Sequence, residues 1–152
     1  MALTGPGQVS GLWQLSAFGG NARKFRDDAR SPAVSPDGNE IAFITGQKVR
    51  EQVWLVGADG AHPRKLVGEE GDFFGTLAWS PDGSKIAYTR GRFSYSHGVK
   101  GAIELLDVHE RPISKQLLQL SSVLSKAGLN GPLAGLRWTA DLYVIGAASA
   151  GT

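Results

Sequence analysis

The 152-residue sequence has no cysteine, which excludes disulfides, thiolate metal ligands and cysteine nucleophiles. Long apolar runs are also missing. None approaches the roughly 20 residues a helix needs to cross a bilayer, so no membrane segment is expected in this chain. Residues 1–7, Met-Ala-Leu-Thr-Gly-Pro-Gly, lack both a charged n-region and an apolar h-region and do not read as a signal peptide. An upstream signal or anchor is left open by that reading. Charge of one sign is scarce: 16 basic against 14 acidic residues leave a net charge of +2, too balanced to expect nucleic acid as a partner. The three histidines, His62, His97 and His109, are scattered singly, and with no cysteine beside them no zinc site is expected.

Glycine is abundant. Its 21 residues, with seven prolines, imply many turns between short elements. The hydrophobic share of 41% and charged share of 20% suit a soluble chain long enough for one domain with a sizeable core.

The strongest signal is an internal echo. Residues 33–43 read Ala-Val-Ser-Pro-Asp-Gly-Asn-Glu-Ile-Ala-Phe, and residues 78–88 read Ala-Trp-Ser-Pro-Asp-Gly-Ser-Lys-Ile-Ala-Tyr, so Asp37 and Asp82 mark a 45-residue period. A period of that size predicts one supersecondary unit used repeatedly. In the first unit the predicted strands are 31–35, 40–45, 52–57 and 63–67. Asp37-Gly38 and Asp59-Gly60 supply the positive φ of hairpin turns. In the second they are 76–80, 85–90, 102–108 and 114–120, with an inserted loop over 91–101 and a short helical turn over 121–128. Residues 11–16 and 18–25 echo the third and fourth strands alone, and 135–141 and 142–145 the first and second. The expected fold is therefore all-β: blades of four antiparallel strands, a single β-propeller segment over residues 1–152. It comprises a half blade (11–26), two blades (31–67 and 76–120) and a second half blade (134–145). About three blade equivalents cannot close a ring, since propellers carry roughly 4–8 blades. The expectation is a homodimer, two chains joined head-to-tail in a six-bladed ring with shared blades. The alternative is a piece of a longer propeller.

Ser-Pro-Asp-Gly followed by Ile-Ala-Phe or Ile-Ala-Tyr, then Val-Trp-Leu-Val-Gly-Ala-Asp-Gly and Pro-Arg-Lys-Leu, resembles the TolB-type, WD-repeat-like β-propeller family over about residues 11–145. The second copy with its insertion most resembles propeller regions attached to bacterial serine/threonine kinases or winged-helix regulators. The resemblance implies a module for protein–protein interaction or sensing in a larger bacterial protein, periplasmic or cytoplasmic. A second expectation is a regulatory or gating segment of a kinase or prolyl-oligopeptidase-like peptidase whose catalytic domain is absent here. A small-molecule or calcium sensor is a third and weaker one.

No catalytic constellation is expected. Gly-x-Ser-x-Gly is missing, since Gly7-Gln-Val-Ser10-Gly11 has the wrong spacing. No Gly-x-Gly-x-x-Gly opens a helix. Asp37 and Asp82 read as turn residues bonding their own backbone. No metal, cofactor or calcium loop is expected. Trp54, Trp79, Phe43, Tyr88, Trp13 and Trp138 are expected as inter-blade core, and Arg64-Lys65 and Arg23-Lys24 as solubilising edge charges. The stretch 90–100 breaks the period and concentrates cations and aromatics between glycines. Arg92, Phe93, Tyr95 and His97 are therefore the candidates for contact with a partner, a protein or peptide or a small anion.

Overall fold

The computed structural model describes residues 2–3, 11–47, 49–95, 98–109, 114–119, 129–138 and 144–150. Among the described residues every helix or strand element is a strand. In chain order these are β1 (Ala2–Leu3), β2 (Gly11–Gln14), β3 (Arg23–Asp27), β4 (Ala29–Val34), β5 (Glu40–Thr45), β6 (Gln52–Gly57) and β7 (Arg64–Val67). There follow β8 (Asp72–Trp79), β9 (Lys85–Ser94), β10 (Gly98–Asp107), β11 (Ser114–Gln119), β12 (Leu129–Trp138) and β13 (Val144–Ala150). They build four antiparallel sheets, ordered β1-β2-β3, β4-β5-β6-β7, β8-β9-β10-β11 and β12-β13.

Burial on two faces explains the unbroken apolar run of β5. Ala42 and Ile44 face a cluster shared with Val53, Leu55, Leu77 and Tyr88, whereas Phe43 and Ile41 face one shared with Leu12 and Phe25. Ala78, Ala87 and Ile103 meet Leu136 and Trp138 in a third. Each cluster fills the seam between one sheet and the next, so the sheets stack as blades. Phe43 and Tyr88 are both fully buried at matched positions. Each such ring buries about 150–250 Å², roughly 4–6 kcal/mol before entropy is charged against it.

The seams carry a repeated hydrogen bond. Trp79 Nε1 donates to the Ala33 carbonyl at 2.9 Å, and Trp138 Nε1 donates to the Ala78 carbonyl at 2.9 Å. Ala33 and Ala78 hold the same place in the two copies, so each inner strand is tied to the one before it by the same contact. Each inner strand also carries an extra residue relative to its partner: the register shifts between Arg30 and Ala33, between Phe74 and Leu77, and between Ala134 and Leu136. Such bulges strengthen local twist and explain how Pro32, and Ser31 with φ 51°, sit inside β4.

Four expectations are revised. The stretch 91–101 is not a loop: β9 and β10 pair continuously from Lys85↔Asp107 to Ser94↔Gly98, so the insertion is an extended hairpin. β8 begins four residues before the predicted strand, because Asp72 and Phe74 are anchored and buried. Arg64 is more than a solubilising charge, since its guanidinium donates to the Val108 carbonyl of the next blade at 2.6 Å. Trp54, Trp13 and Trp138 are half-buried at seam margins, whereas Trp79 is buried. The helical turn expected over 121–128 lies outside the described residues.

Candidate functional site

The two ends of the blades differ in chemistry. At one end lie the Ser-Pro-Asp-Gly turns. The Ser35 hydroxyl donates to Asp37 Oδ1 at 2.6 Å and accepts the Glu40 amide at 2.9 Å; Ser80 donates to Asp82 at 2.6 Å and accepts the Lys85 amide at 2.9 Å. Asp37 also accepts the Asn39 amide and Asp82 the Ser84 amide. Gly38 and Gly83 take φ of 77° and 72°, which a side chain would strain. Ser80, then the amide and hydroxyl of Ser84, hold the Asp82 carboxyl down to about 2, and Ser35 and Asn39 lower Asp37 in the same way. Both carboxylates serve their turns. A cleft of about 360 Å³ lies between these turns, lined by Asp37, Glu40, Asp82 and His109 among others. Among the described residues no cluster of three or more metal-ligating side chains occurs.

At the other end an ion-pair network holds the base of the β9–β10 hairpin. Arg90 and Arg92 are two apart on a strand and so share a face. Arg90 Nη2 meets Asp72 Oδ2 at 2.5 Å, and Arg92 Nε meets Asp72 Oδ1 at 2.8 Å. Arg92 continues to Glu69 at 2.7 Å; Arg90 reaches Glu104 at 3.3 Å, and Tyr88 donates to the same carboxylate at 2.8 Å. Burial pushes the Asp72 carboxyl up, but donation from Arg92, Arg90 and the Glu69 amide outweighs it and holds it below its ordinary value. Asp72 in turn raises Arg92, and raises Arg90 against the opposing effect of burial. A second buried tie spans the seam between β4 and β8. Glu51 pairs with Arg30 at 2.6 Å and accepts the Phe74 amide at 2.7 Å, while Arg30 donates to the Phe74 carbonyl at 3.0 Å.

Above this base the hairpin projects as a two-stranded arm. β8 pairs with β9 as far as Arg92, the Phe93 amide donates to the Gly71 carbonyl at 2.9 Å, and β11 pairs with β10 only from Ala102 onward. Phe73 lies opposite Gly91, and a Cβ there would fall within the Phe73 ring, so glycine lets the ring cross the strand at the arm's root. At the tip the Phe93 and Tyr95 rings meet edge-on, centroids 5.3 Å apart, with Phe93 40% and Tyr95 fully exposed.

The structure thus divides the four sequence candidates. Phe93 and Tyr95 form one exposed aromatic pair. Arg92 lies at the arm's base, engaged by Asp72 and Glu69, and His97 lies outside the described residues. Sequence reasoning missed Asp72, Glu51, Glu104 and Arg30, which meet their partners from distant strands and leave no local pattern. The one local signal that could have found them is the Arg90/Arg92 alternation, which sets two cations on one strand face. A cleft of about 380 Å³ runs along the inner strands, past Pro32, Val34, Leu77, Trp79, Arg137 and Trp138.

No known family's profile matches the chain. A 77-residue stretch is 29% identical to the uncharacterized protein YidR of Escherichia coli (strain K12), covering 49% of this chain and 19% of that protein. Among solved structures, TolB from Acinetobacter baumannii aligns over 87% of this chain and 30% of its own, at 19% identity and TM-score 0.63. A TolB-type protein from Agrobacterium tumefaciens aligns over 72% and 41%, at 19% identity and TM-score 0.60. The β-propeller domain of the Trilobed protease from Pyrococcus furiosus, which has an open velcro topology, aligns over 72% and 35%, at 19% identity and TM-score 0.56. The chain spans about a fifth of the length of the curated relative and less than half of each of these propellers. Stacked antiparallel sheets, two of them four-stranded, and these likenesses agree on one architecture: the chain has a TolB-like β-propeller fold.

Proposed function

We propose that this chain is a non-catalytic propeller module that binds a protein or peptide partner through the β9–β10 arm, with a second copy completing the ring. The observation that carries the reading is the exposed Phe93–Tyr95 pair. It stands on a hairpin four residues longer per strand than its blade-one counterpart, and its root is locked by Asp72. Exposed aromatics on a rigid base are the side chains that dominate interface energies. The non-catalytic part is supported by what the acids do. Asp37 and Asp82 serve turns, and Asp72, Glu51 and Glu104 are consumed by ion pairs. The second reading, a gating or regulatory segment of an enzyme, is favoured by the likeness to a protease's propeller domain.

The test places a photo-crosslinking residue at Tyr95 in the producing cell, and another at Gln47 in the shorter hairpin of blade one. One discrete adduct from position 95, absent from 47 and lost with Phe93→Ala, supports the reading. Equal adducts from both positions, or none, overturn it.

A further inference from the structure

The first seam is only half filled. In the seam between the second and third sheets, inner strand β8 faces inner strand β4, and in the next, β12 packs on β8. In the seam between the first and second sheets, Leu12 and Phe25 of β2 and β3 cover Phe43 and Val56, the middle of the blade. Toward the axis only the two residues of β1, which lie against β4, continue that cover among the described residues. An apolar groove of about 410 Å³ opens there, lined by Leu12, Leu15, Phe25, Pro32, Val34 and Ile41 among others. Val34 is 57% exposed although it holds the place that buried Trp79 holds one blade later. The groove is continuous with an established seam, and its position defines its occupant: the two inner strands of a blade.

The chain carries such a pair elsewhere. β12 and β13 form a two-stranded sheet whose Trp138 makes on Ala78 the bond that Trp79 makes on Ala33, so they are the first and second strands of a blade. Among the described residues no strand pairs with the outer edge of β13. The matching edge of β2 is held only at Gly11 and Leu12, by the two residues of β1. In a six-bladed ring, at about 60° per blade, three blade steps would put the pair on the opposite side of the axis, out of reach of its own chain's groove.

We propose that the groove is the seat of the β12–β13 pair of a second copy of this chain, and that β13 displaces β1 from the edge of β2. This rests on the two-chain ring proposed above and names where it closes. A two-fold axis then seats each pair in the other's groove, and no inner edge is left open. The register follows from the repeat. Ala42 faces Leu55 in blade one and Ala87 faces Leu105 in blade two. Gln14 stands where Leu55 does in the echo, and Ile145 where Ala87 does, since Arg137↔Ile145 repeats Ala78↔Ala87. Gln14 of one copy is thus set opposite Ile145 of the other.

The chain has no cysteine, so a clean linkage test exists. Gln14→Cys protein is mixed with Ile145→Cys protein, oxidised, and the linked peptides are identified by mass spectrometry alongside a native mass of the parent. The expected result is a two-chain mass and a 14–145 link between the two variants. Val34→Asp, exposed in the single chain, is expected to weaken association about a hundredfold with β-sheet circular dichroism unchanged, because it sets a carboxylate in an apolar seat. A one-chain mass with folded spectra overturns both the ring and the seat. A two-chain mass without the 14–145 link, or one that Val34→Asp leaves unweakened, overturns the seat alone. Neither outcome touches the arm's role, which the crosslinking at Tyr95 reads separately.

Discussion

The blade of β4–β7 and the blade of β8–β11 match contact for contact at one end and part company at the other. At the turn end the Ser35 and Ser80 hydroxyls make the same bonds at 2.6 and 2.9 Å, and the Asn39 and Ser84 amides reach Asp37 and Asp82 at 3.1 and 3.0 Å. At the opposite end, strands of six residues become strands of ten, and Arg90 and Arg92, which share Asp72, stand where the repeat has Thr45 and Gln47. Turn chemistry is fixed by backbone geometry and so tolerates little change. The other end is constrained only at its base, and that freedom is where a recognition element can be added without cost to the stack.

Four variants sharpen the contrast. Trp79→Ala removes a buried ring and the indole bond to Ala33, and is expected to cost about 3–5 kcal/mol in denaturant unfolding. An unchanged midpoint would break the claim that the seam is the core. Asp72→Ala leaves buried Arg90 and half-exposed Arg92 without their shared carboxylate. A loss of about 2–4 kcal/mol is expected, with weaker hydrogen-exchange protection of the arm than of the turns. Uniform loss across both ends would erase the distinction between them.

Asp82→Asn tests the turn end by pH. The folded carboxyl lies at about 2, below its ordinary value of 3.8, so its contribution is full above pH 4 and is lost as pH falls through 2. The thermal midpoints of variant and parent should therefore differ at pH 5 and converge near pH 2; a gap independent of pH contradicts the role given to Ser80 and Ser84. Phe93→Ala with Tyr95→Ala should have the smallest effect on stability, within about 0.5 kcal/mol, because both rings are exposed. A larger loss would make the arm part of the scaffold.

Much of the fold was legible in the sequence because hairpin turns write their requirements locally. Asp-Gly flanked by Ser and an apolar run names a turn and the strand after it, and β5 and β6 fall on the residues read from sequence. The arm was not legible as strand. Gly91, Gly98 and Gly101 look like loop residues, and only the Phe73 ring lying over Gly91 shows why a glycine belongs in a strand there. The Asp72 and Glu51 networks were hidden for another reason: their partners converge from strands some twenty residues apart. Of the candidate site, the segment and its aromatics were readable. The division of labour between Arg92 at the root and Phe93 and Tyr95 at the tip needed coordinates.

The stacking of successive blades is tested most directly by nuclear Overhauser contacts from the indole N–H protons of Trp79 and Trp138. The account predicts that the Trp79 proton contacts the backbone around Ala33 and the Trp138 proton the backbone around Ala78, both slow to exchange with solvent. If each indole instead contacts only residues of its own sheet, the sheets do not stack as blades, and the repeated seam described here is contradicted.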